Sequence, residues 1–513
     1  MDIISVDDMR RLDALAISNG SASGFELMDH AGKGAAEEIL CYLEGLPPRQ
    51  RRRIVVLAGK GNNGGDAWVV ARVLHQQGLT VKLYSCCRRD ELPADARLHA
   101  ALLPAAVPRR EAISELPAEA LQPGGVIIDG LLGTGLHGAP RDPYPRVIDQ
   151  VNASDLPVVA LDIPSGLDGD SGAAECAIVA DLTLTMAFPK TGLVRGDGPR
   201  LCGAIHVIDI GFPPAVTAVA QSLGRAFTQA DAAALLRRRD PAAHKNSLGH
   251  VLCVAGSRQY AGAAALCACA ALRSGAGLVT LAHPAAMPRP ASPHALICTP
   301  LGDTQRDDVF GDAMVPQLQQ ALLNKNAVVY GPGSSPAATP DVLRALLAAA
   351  IPMVIDADGL RLLAAHPELL DAARAGLVLT PHPGEMAALL RGVGLADAMP
   401  ASRSEQAKAL AARCHAVVVL KGQHSVVATP DGREPTINLS GTAALATAGT
   451  GDVLAGMIGA MIAQGMSMED AARCAAFVHG VCAECWHGAQ RALIADDVVE
   501  LIGSALRRVA PNT

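Results

Sequence analysis

The chain has 513 residues, half of them hydrophobic, and a formal net charge of -7. That length predicts two to four domains at roughly 150 residues each. Aromatics make up only 3 % and no long basic tract occurs, which argues against nucleic acid as a partner. The short basic clusters Arg49–Arg53 and Arg237–Arg239 read as solvated surface. The opening MDIISVDDMR carries acids and no apolar core, so it does not read as a signal peptide. No uncharged run of 18 apolar residues suggests a membrane span. Thirteen scattered cysteines predict reduced thiols and a cytoplasmic location. Cys482–Cys485 is the sole CxxC, and its Ala-rich helical setting points to buried thiols rather than metal ligands.

Residues 5–45 read as one or two helices that end near Gly45 and Pro47–Pro48. Strands then alternate with helices. Ile54–Ala58, Val81–Ser85, Val126–Asp129, Val158–Asp162 and Ile205–Ile208 are short apolar runs, with a helix from about Asp66 to Gln77. Such runs, spaced by helical segments, predict a parallel sheet covered on both faces. Residues 215–245 read as a connector with a short helix. A second alternation has strands at Val251–Ala255, Ala327–Tyr330, Met353–Asp356, Leu377–Thr380 and Val417–Leu420. Its helices fall near 261–275, 340–350, 404–413, 450–464 and 468–485. The expected fold class is α/β, as two three-layer domains covering 1–220 and 221–513.

In the first half, Gly59-Lys60-Gly61-Asn62-Asn63-Gly64 is a GxGxxG directly after a strand, where backbone N–H groups can approach phosphate. A hydride-transfer domain would also place an acid after the second strand. Here that strand runs into Cys86-Cys87-Arg88-Arg89, and the glycine loop continues as Asn63-Gly64-Gly65-Asp66. Two further predicted strands end in Asp129 and Asp162, each leading into a polar loop, Gly133–Gly138 and Ser165–Asp168. Because ligands bind at the C-terminal strand ends of doubly wound sheets, Asn63, Asp129, Asp162 and Ser165 are expected to share a site.

In the second half there is no Walker loop and no kinase HRD or DFG set. The segment Ser440–Asp452 is built almost wholly of small residues and leads into an apolar helix. It suits phosphate at a helix N-terminus, with Asp452 placed to act as a general base. Five other strand ends carry polar or Gly-rich turns: Gly256–Gly262, Gly331-Pro332-Gly333, Asp356-Ala357-Asp358, Thr380–Glu385 and Lys421–Ser425. Three readings stay open from the residues: a small-molecule kinase, a binding module, and a dehydrogenase built on GxGxxG.

The first half, over about 5–213, resembles NAD(P)H-hydrate epimerase. The motifs are GNNGGD at 61–66, DGLLGTGL at 129–136, ALDIPSGLDGD at 160–170 and Lys190-Thr191-Gly192-Leu193. The resemblance implies a Rossmann-like fold that interconverts R- and S-hydrates at C6 of the nicotinamide. It implies substrate contacts at Asn62, Asn63, Gly64, Gly65, Asp66, Gly133, Thr134, Gly135, Leu136, His137, Gly138, Ala139, Tyr144 and Asp162. It also implies K⁺ held by Asn63, Asp129 and Ser165. Asp162 is the expected acid–base group, with Lys190 as a nearby charge. Ala67-Trp68 departs from the family pattern, with a consequence expected at the pocket floor.

The second half, over about 230–503, resembles the ribokinase-like, ADP-dependent NAD(P)H-hydrate dehydratase. The motifs are HKNSLGHVLCVAGSRQYAGAA at 244–264, ALRSGAGLVT at 271–280, TPHPGEM at 380–386, LKG at 420–422 and ATAGTGDVLAG at 446–456. The resemblance implies hydrate contacts at Ala263, Gly333, His382 and Asp452. It implies ADP contacts at Lys421, Gly422, Gln423, His424 and Ser425, and at Thr442, Ala443, Ala444, Leu445, Ala446, Thr447, Ala448, Gly449, Thr450 and Gly451. Mg²⁺ would accompany the nucleotide. Departures fall at Gly359 and Arg361, in Thr442–Leu445, which lacks an Asn-Pro-Gly, and at Gly480–Ala483. The expected partners are hydrated NADH and NADPH and ADP, with neither nucleic acid nor membrane, and a homo-oligomer is the expected assembly.

Overall fold

Alternate residues of the strand Arg53–Ala58 enter two different apolar cores. Ile54, Val56 and Ala58 pack on one side and Val55 and Leu57 on the other. Successive strand side chains point to opposite faces, so a run that is apolar throughout demands cover on both. The strand His250–Val254 repeats the arrangement, with Val251 and Cys253 in one core and Leu252 and Val254 in another. Each sheet is therefore the middle of three layers. In this computed structural model, all residues are described except 49, 52, 137, 292, 396–401, 512 and 513. Arg49 and Arg52 of the basic cluster, and the candidate site residue His137, lie outside the described residues.

The chain divides into two compact units, Met1–Ala226 and Phe227–Thr513. In the first, the sheet order is Arg109–Arg110, Val81–Ser85, Arg53–Ala58, Gly125–Gly130, Val158–Leu161, Leu182–Met186 and Ala204–Ile208. All these neighbours run parallel. The chain moves outward from Arg53–Ala58 in one direction and then returns to start Gly125–Gly130 on its other side. The crevice between those two strands is the topological switch point, the place where such sheets take ligands.

In the second unit the order is Thr436–Asn438, Val426–Ala428, Val417–Leu420, Leu377–Leu379, Met353–Ile355, Ala327–Tyr330, His250–Val254, Leu278–Pro284 and Ile297–Leu301. The strands are parallel except for the two short antiparallel ones after Val417–Leu420. Here the switch falls between His250–Val254 and Ala327–Tyr330. The loops that follow the parallel strands all emerge at one edge.

Several elements lie beyond the sequence expectations. Leu182–Met186 alternates with Thr183 and Thr185, yet both threonines are fully buried. The Thr183 hydroxyl donates to the Cys202 carbonyl at 2.7 Å, which satisfies it inside the core. Leu278–Pro284, Ile297–Leu301, Val426–Ala428 and Thr436–Asn438 are also strands. Asp2–Ile3 pairs antiparallel with Arg225 and Gly224. All thirteen cysteines are free, and Cys482 is buried in the helix Met468–Glu484. Among the described residues no helix is long and apolar enough to cross a membrane.

Candidate active sites

In the first unit, the glycine loop closes tightly on its neighbours. A Cβ on Gly59 would lie 1.7 Å from the Leu131 carbonyl oxygen, and one on Gly64 would lie 2.0 Å from that of Gly59. Only glycine permits this backbone approach. The helix Asn62–Gln76 starts there with no side-chain cap, leaving first-turn N–H groups open to a ligand.

A cavity of about 700 Å³ opens at the switch point. Asn62, Asn63, Asp66, Gly133, Thr134, Gly135, Leu136, Ala139, Tyr144 and Asp162 all line it. Gly64, Gly65 and Gly138 do not. Gly65 packs instead against the Met28 thioether, where a Cβ would come within 2.5 Å of sulfur. Ala67 and Trp68 are fully buried in the core and do not form the cavity floor, contrary to the expectation drawn from the sequence.

Asp162 sits just past its strand in the left-handed region, with φ +62. That turn directs its carboxylate onto Lys190, whose Nζ donates to Oδ1 at 2.5 Å. Lys190 is fully buried and also donates to the Met186 carbonyl at 2.8 Å and the Thr185 hydroxyl at 3.1 Å. The ammonium is thus fully engaged. Two more carboxylates share this region without a hydrogen bond. Burial, then the charges of Asp162 and Asp13, hold the Asp66 carboxyl well above its ordinary range. Burial likewise pushes Asp13 up to about 6. Asp13 belongs to no motif and escaped the sequence reading.

Beside the cavity, Asp129 and Ser165 are fully buried. Asp129 Oδ1 accepts from the Ser165 hydroxyl at 2.6 Å, and Oδ2 accepts from the Ser165 N–H at 2.9 Å. Burial still pushes the Asp129 carboxyl up to about 6, outweighing the hydrogen bonds from Ser165 and the Leu131 N–H. Asn63 Nδ2 donates to the Leu132 and Leu161 carbonyls at 2.8 and 3.0 Å. Its Oδ1 is buried with no partner. An uncompensated carboxylate, an orphaned amide oxygen and a hydroxyl form a donor set that fits a hard monovalent cation.

In the second unit, Lys421 Nζ donates to Asp356 Oδ1 at 2.6 Å and lies 4.0 Å from Glu385 Oε2. Burial works against the ammonium, but Asp356 and Glu385 keep its pKa above the ordinary value. The GTGD turn lies against this pair, since a Cβ on Gly451 would be 3.2 Å from Lys421 Nζ and 3.7 Å from Asp356 Oδ2. Asp452 follows in the first turn of the helix Thr450–Ala463. Burial, then the charge of Asp356, raises its carboxyl to about 7, with Lys421 acting in the opposite direction.

The turn before this helix is held from within. Thr450 Oγ1 donates to the Leu445 and Thr447 carbonyls, and Thr442 Oγ1 accepts from the Ala444 N–H. Gly449 takes φ +91, which a side chain would resist. Ala443, Ala446 and Ala448 are exposed, while Ala444 is buried. Behind it, the divergent Gly480 leaves room for Ser440, whose hydroxyl would lie 2.1 Å from an added Cβ.

The Lys421–Ser425 turn is clasped by Arg403. Its Nη1 donates to the Gln423 and His424 carbonyls at 2.5 and 3.4 Å, and its Nη2 to those of Leu420 and Lys421 at 3.2 and 3.3 Å. Gly422 and Gln423 are exposed and His424 is buried. Gly333 packs on Ala263, 3.0 Å from an added Cβ, so these two residues meet across the switch point. His382 caps the helix Pro383–Gly392: Nδ1 accepts from the Gly384 and Glu385 N–H groups at 3.0 and 3.3 Å. Its Nε2, 3.5 Å from Glu385 Oε1, remains half exposed.

A family profile described as the YjeF-related protein N-terminus matches residues 24–192, and one described as NAD(P)H-hydrate dehydratase matches 251–503. A bifunctional NAD(P)H-hydrate repair enzyme of Salinibacter ruber is 39 % identical, covering 98 % of this chain and 95 % of that relative. The chain belongs to the bifunctional NAD(P)H-hydrate repair enzymes. Another family member, from Escherichia coli, is 34 % identical over 93 % of this chain and 88 % of its own length. An ADP/ATP-dependent NAD(P)H-hydrate dehydratase of Bacillus subtilis, co-crystallised with ATP and Mg²⁺, aligns with 56 % of this chain and 99 % of its own. Its identity is 30 % and its TM-score 0.47. This family has epimerase and dehydratase activities, so the chain is a two-activity enzyme rather than a binding module or a hydride-transfer dehydrogenase.

Proposed function

We propose that the first unit interconverts the R- and S-hydrates of NADH and NADPH at C6, and that the second dehydrates the S-hydrate using ADP. The observation that carries the reading is the placement of Asp452, in the first turn of an uncapped helix and beside the Lys421–Asp356 pair. A carboxylate raised to about 7 is matched to removing a hydroxyl proton near neutral pH.

Asp452 takes the proton of the C6 hydroxyl. The oxygen then attacks the β-phosphorus of ADP, and AMP departs with the bridging oxygen. Phosphate is a better leaving group than hydroxide. The C6–O bond breaks, a proton leaves C5, and the dihydronicotinamide double bond is restored. The exposed alanines of the Thr442–Gly451 turn, together with the helix N-terminus, receive the phosphates. Lys421 holds Asp356 in place, while Ala263, Gly333 and the half-exposed Nε2 of His382 face the hydrate.

With Asp358 paired to Arg361 at 3.7 Å, Asp356, Glu385 and Asp452 still outnumber Lys421, a charge excess that suits Mg²⁺ shared with nucleotide phosphates. Mg²⁺ would neutralise charge that develops on those phosphates. In the first unit, Asn63, Asp129 and Ser165 would hold K⁺ and so fix the loops that carry Asn62 and Gly133. There Asp162, held by Lys190 Nζ at 2.5 Å, is the base for the C6 hydroxyl or for water.

The deciding assay incubates the chain with hydrated NADH and ADP, and in parallel with ATP. Absorbance in the reduced-nicotinamide band should recover, with AMP and phosphate as co-products. A protein that phosphorylates another alcohol and leaves the hydrate unchanged would overturn the reading.

A further inference from the structure

We propose that Asp13, on the helix Val6–Ser18, is a second catalytic acid–base residue of the epimerase site, acting on the C6 oxygen opposite Asp162. This rests on the epimerase reading given above.

The geometry begins at the chain's start. Ile4 forms a parallel bridge with Lys190, the Ile4 N–H donates to the Pro189 carbonyl, and the Thr191 N–H donates to the Ile4 carbonyl. Asp170 Oδ1 accepts from the Val6 N–H at 2.7 Å. The loop that carries Lys190 therefore fixes where the helix begins and how it is aimed. Met9, Asp13 and Ile17 follow at four-residue spacing and all line the cavity, as one face of a helix must. Leu12 and Ala16 turn into the core instead.

The charges around Asp13 separate two roles. Asp162 has its own ammonium at 2.5 Å, which ties its Oδ1 in place. Asp13 has no such hydrogen bond, and burial, with a smaller contribution from the charge of Asp162, raises its carboxyl against the opposing charge of Lys190. One carboxyl tied to an ammonium and a second left without a hydrogen bond, both lining one cavity, give a site two carboxyls in different surroundings, as an acid–base pair requires.

The step balances as follows. Protonated Asp13 gives its proton to the C6 hydroxyl, the C6–O bond breaks, and water is released. The ring-nitrogen lone pair forms the N1=C6 bond. Water then adds to the other face and loses a proton to Asp162, so that the nitrogen lone pair is restored. Exchange of that proton with solvent through the cavity resets both carboxyls.

The test uses the full chain with purified R-hydrate, and compares Asp13→Asn and Asp13→Glu with the parent protein. Asp13→Asn should lower kcat for R-to-S conversion by about 100-fold or more, with KM for the hydrate unchanged. Asp13→Glu, which restores a carboxyl, should turn over faster than the amide. Dehydration of S-hydrate, carried by the other unit, should be unaffected in both. Parental turnover in Asp13→Asn would overturn the proposal, as would equal losses in both variants or a loss confined to KM. A parent chain that does not epimerise the hydrate would overturn the epimerase reading itself.

Discussion

The Lys421 ammonium lies 2.6 Å from Asp356 Oδ1, and the same ammonium would stand 3.2 Å from a Cβ on Gly451. One partly buried cation thus joins the end of the strand Val417–Leu420, the end of Met353–Ile355 and the GTGD turn. Removing it leaves Asp356 and Glu385 as unpaired buried charges. Lys421→Met should therefore destabilise the second unit by about 3–5 kcal/mol, as measured by denaturant unfolding, and should abolish dehydration.

Asp452 should dominate the pH dependence of dehydration. Its carboxyl titrates near 7 and is useful only when ionised. The rate should rise with pH through about 7 in the parent chain. Asp452→Asn should lower kcat on the order of 10²–10⁴-fold and abolish that dependence, with R-to-S epimerisation intact. Undiminished dehydration by the amide would remove Asp452 from the mechanism.

Asp162→Asn should slow epimerisation by a similar factor, on the order of 10²–10⁴, while S-hydrate dehydration continues. Chromatographic separation of the R and S forms over time reads the two activities independently. Wild-type epimerisation in this variant would exclude Asp162 as the base.

Asp129 gives a stability signature. Its carboxyl is raised from 3.8 to about 6 by burial. A raised acid contributes stability that is present below its unfolded value and lost as pH rises through the folded one. Without K⁺, the first unit should therefore weaken as pH climbs from 4 through about 6, and K⁺ should restore its Tm above that range. Asp129→Asn should reduce the pH response, with Asp13 and Asp66 still contributing theirs, and should abolish the K⁺ response. Equal Tm values with and without K⁺ in the parent chain would refute the site.

Gly64→Ala should be harmful in a different way. Its Cβ would lie 2.0 Å from the Gly59 carbonyl oxygen, a backbone atom that cannot swing aside. The expected cost is about 1–3 kcal/mol, read as a lowered unfolding midpoint of the first unit.

Much of the architecture is legible in the sequence because buried parallel strands are written as unbroken apolar runs. Val81–Ser85, Ala327–Tyr330 and Val417–Leu420 coincide with their expected spans. Leu182–Met186 hid behind its threonines, whose hydroxyls find partners only after folding. Ile297–Leu301 hid behind Pro300, tolerated because this strand ends the sheet order. The motifs located Asp162, Asp129 and Asp452 directly, since glycine loops mark strand ends. Asp13 was invisible: nothing local distinguishes it from any acid on an amphipathic helix. Its position follows from the pairing of Ile4 with Lys190, residues remote in sequence. Likewise Glu385 completes the cap of the helix Pro383–Gly392, accepting from the His382 N–H at 2.9 Å, and only the fold brings it to Lys421.

Arg403 gathers the carbonyl oxygens of four residues in the Leu420–His424 turn onto one guanidinium. A peptide unit has two poles, and this grip occupies the negative one. A phosphorylated ligand arriving at Gly422 and Gln423 meets a turn whose repulsive side is already masked by a positive charge. If that turn receives the nucleotide as proposed, its recognition of an anion would be prepared from behind, by a residue that need never touch it.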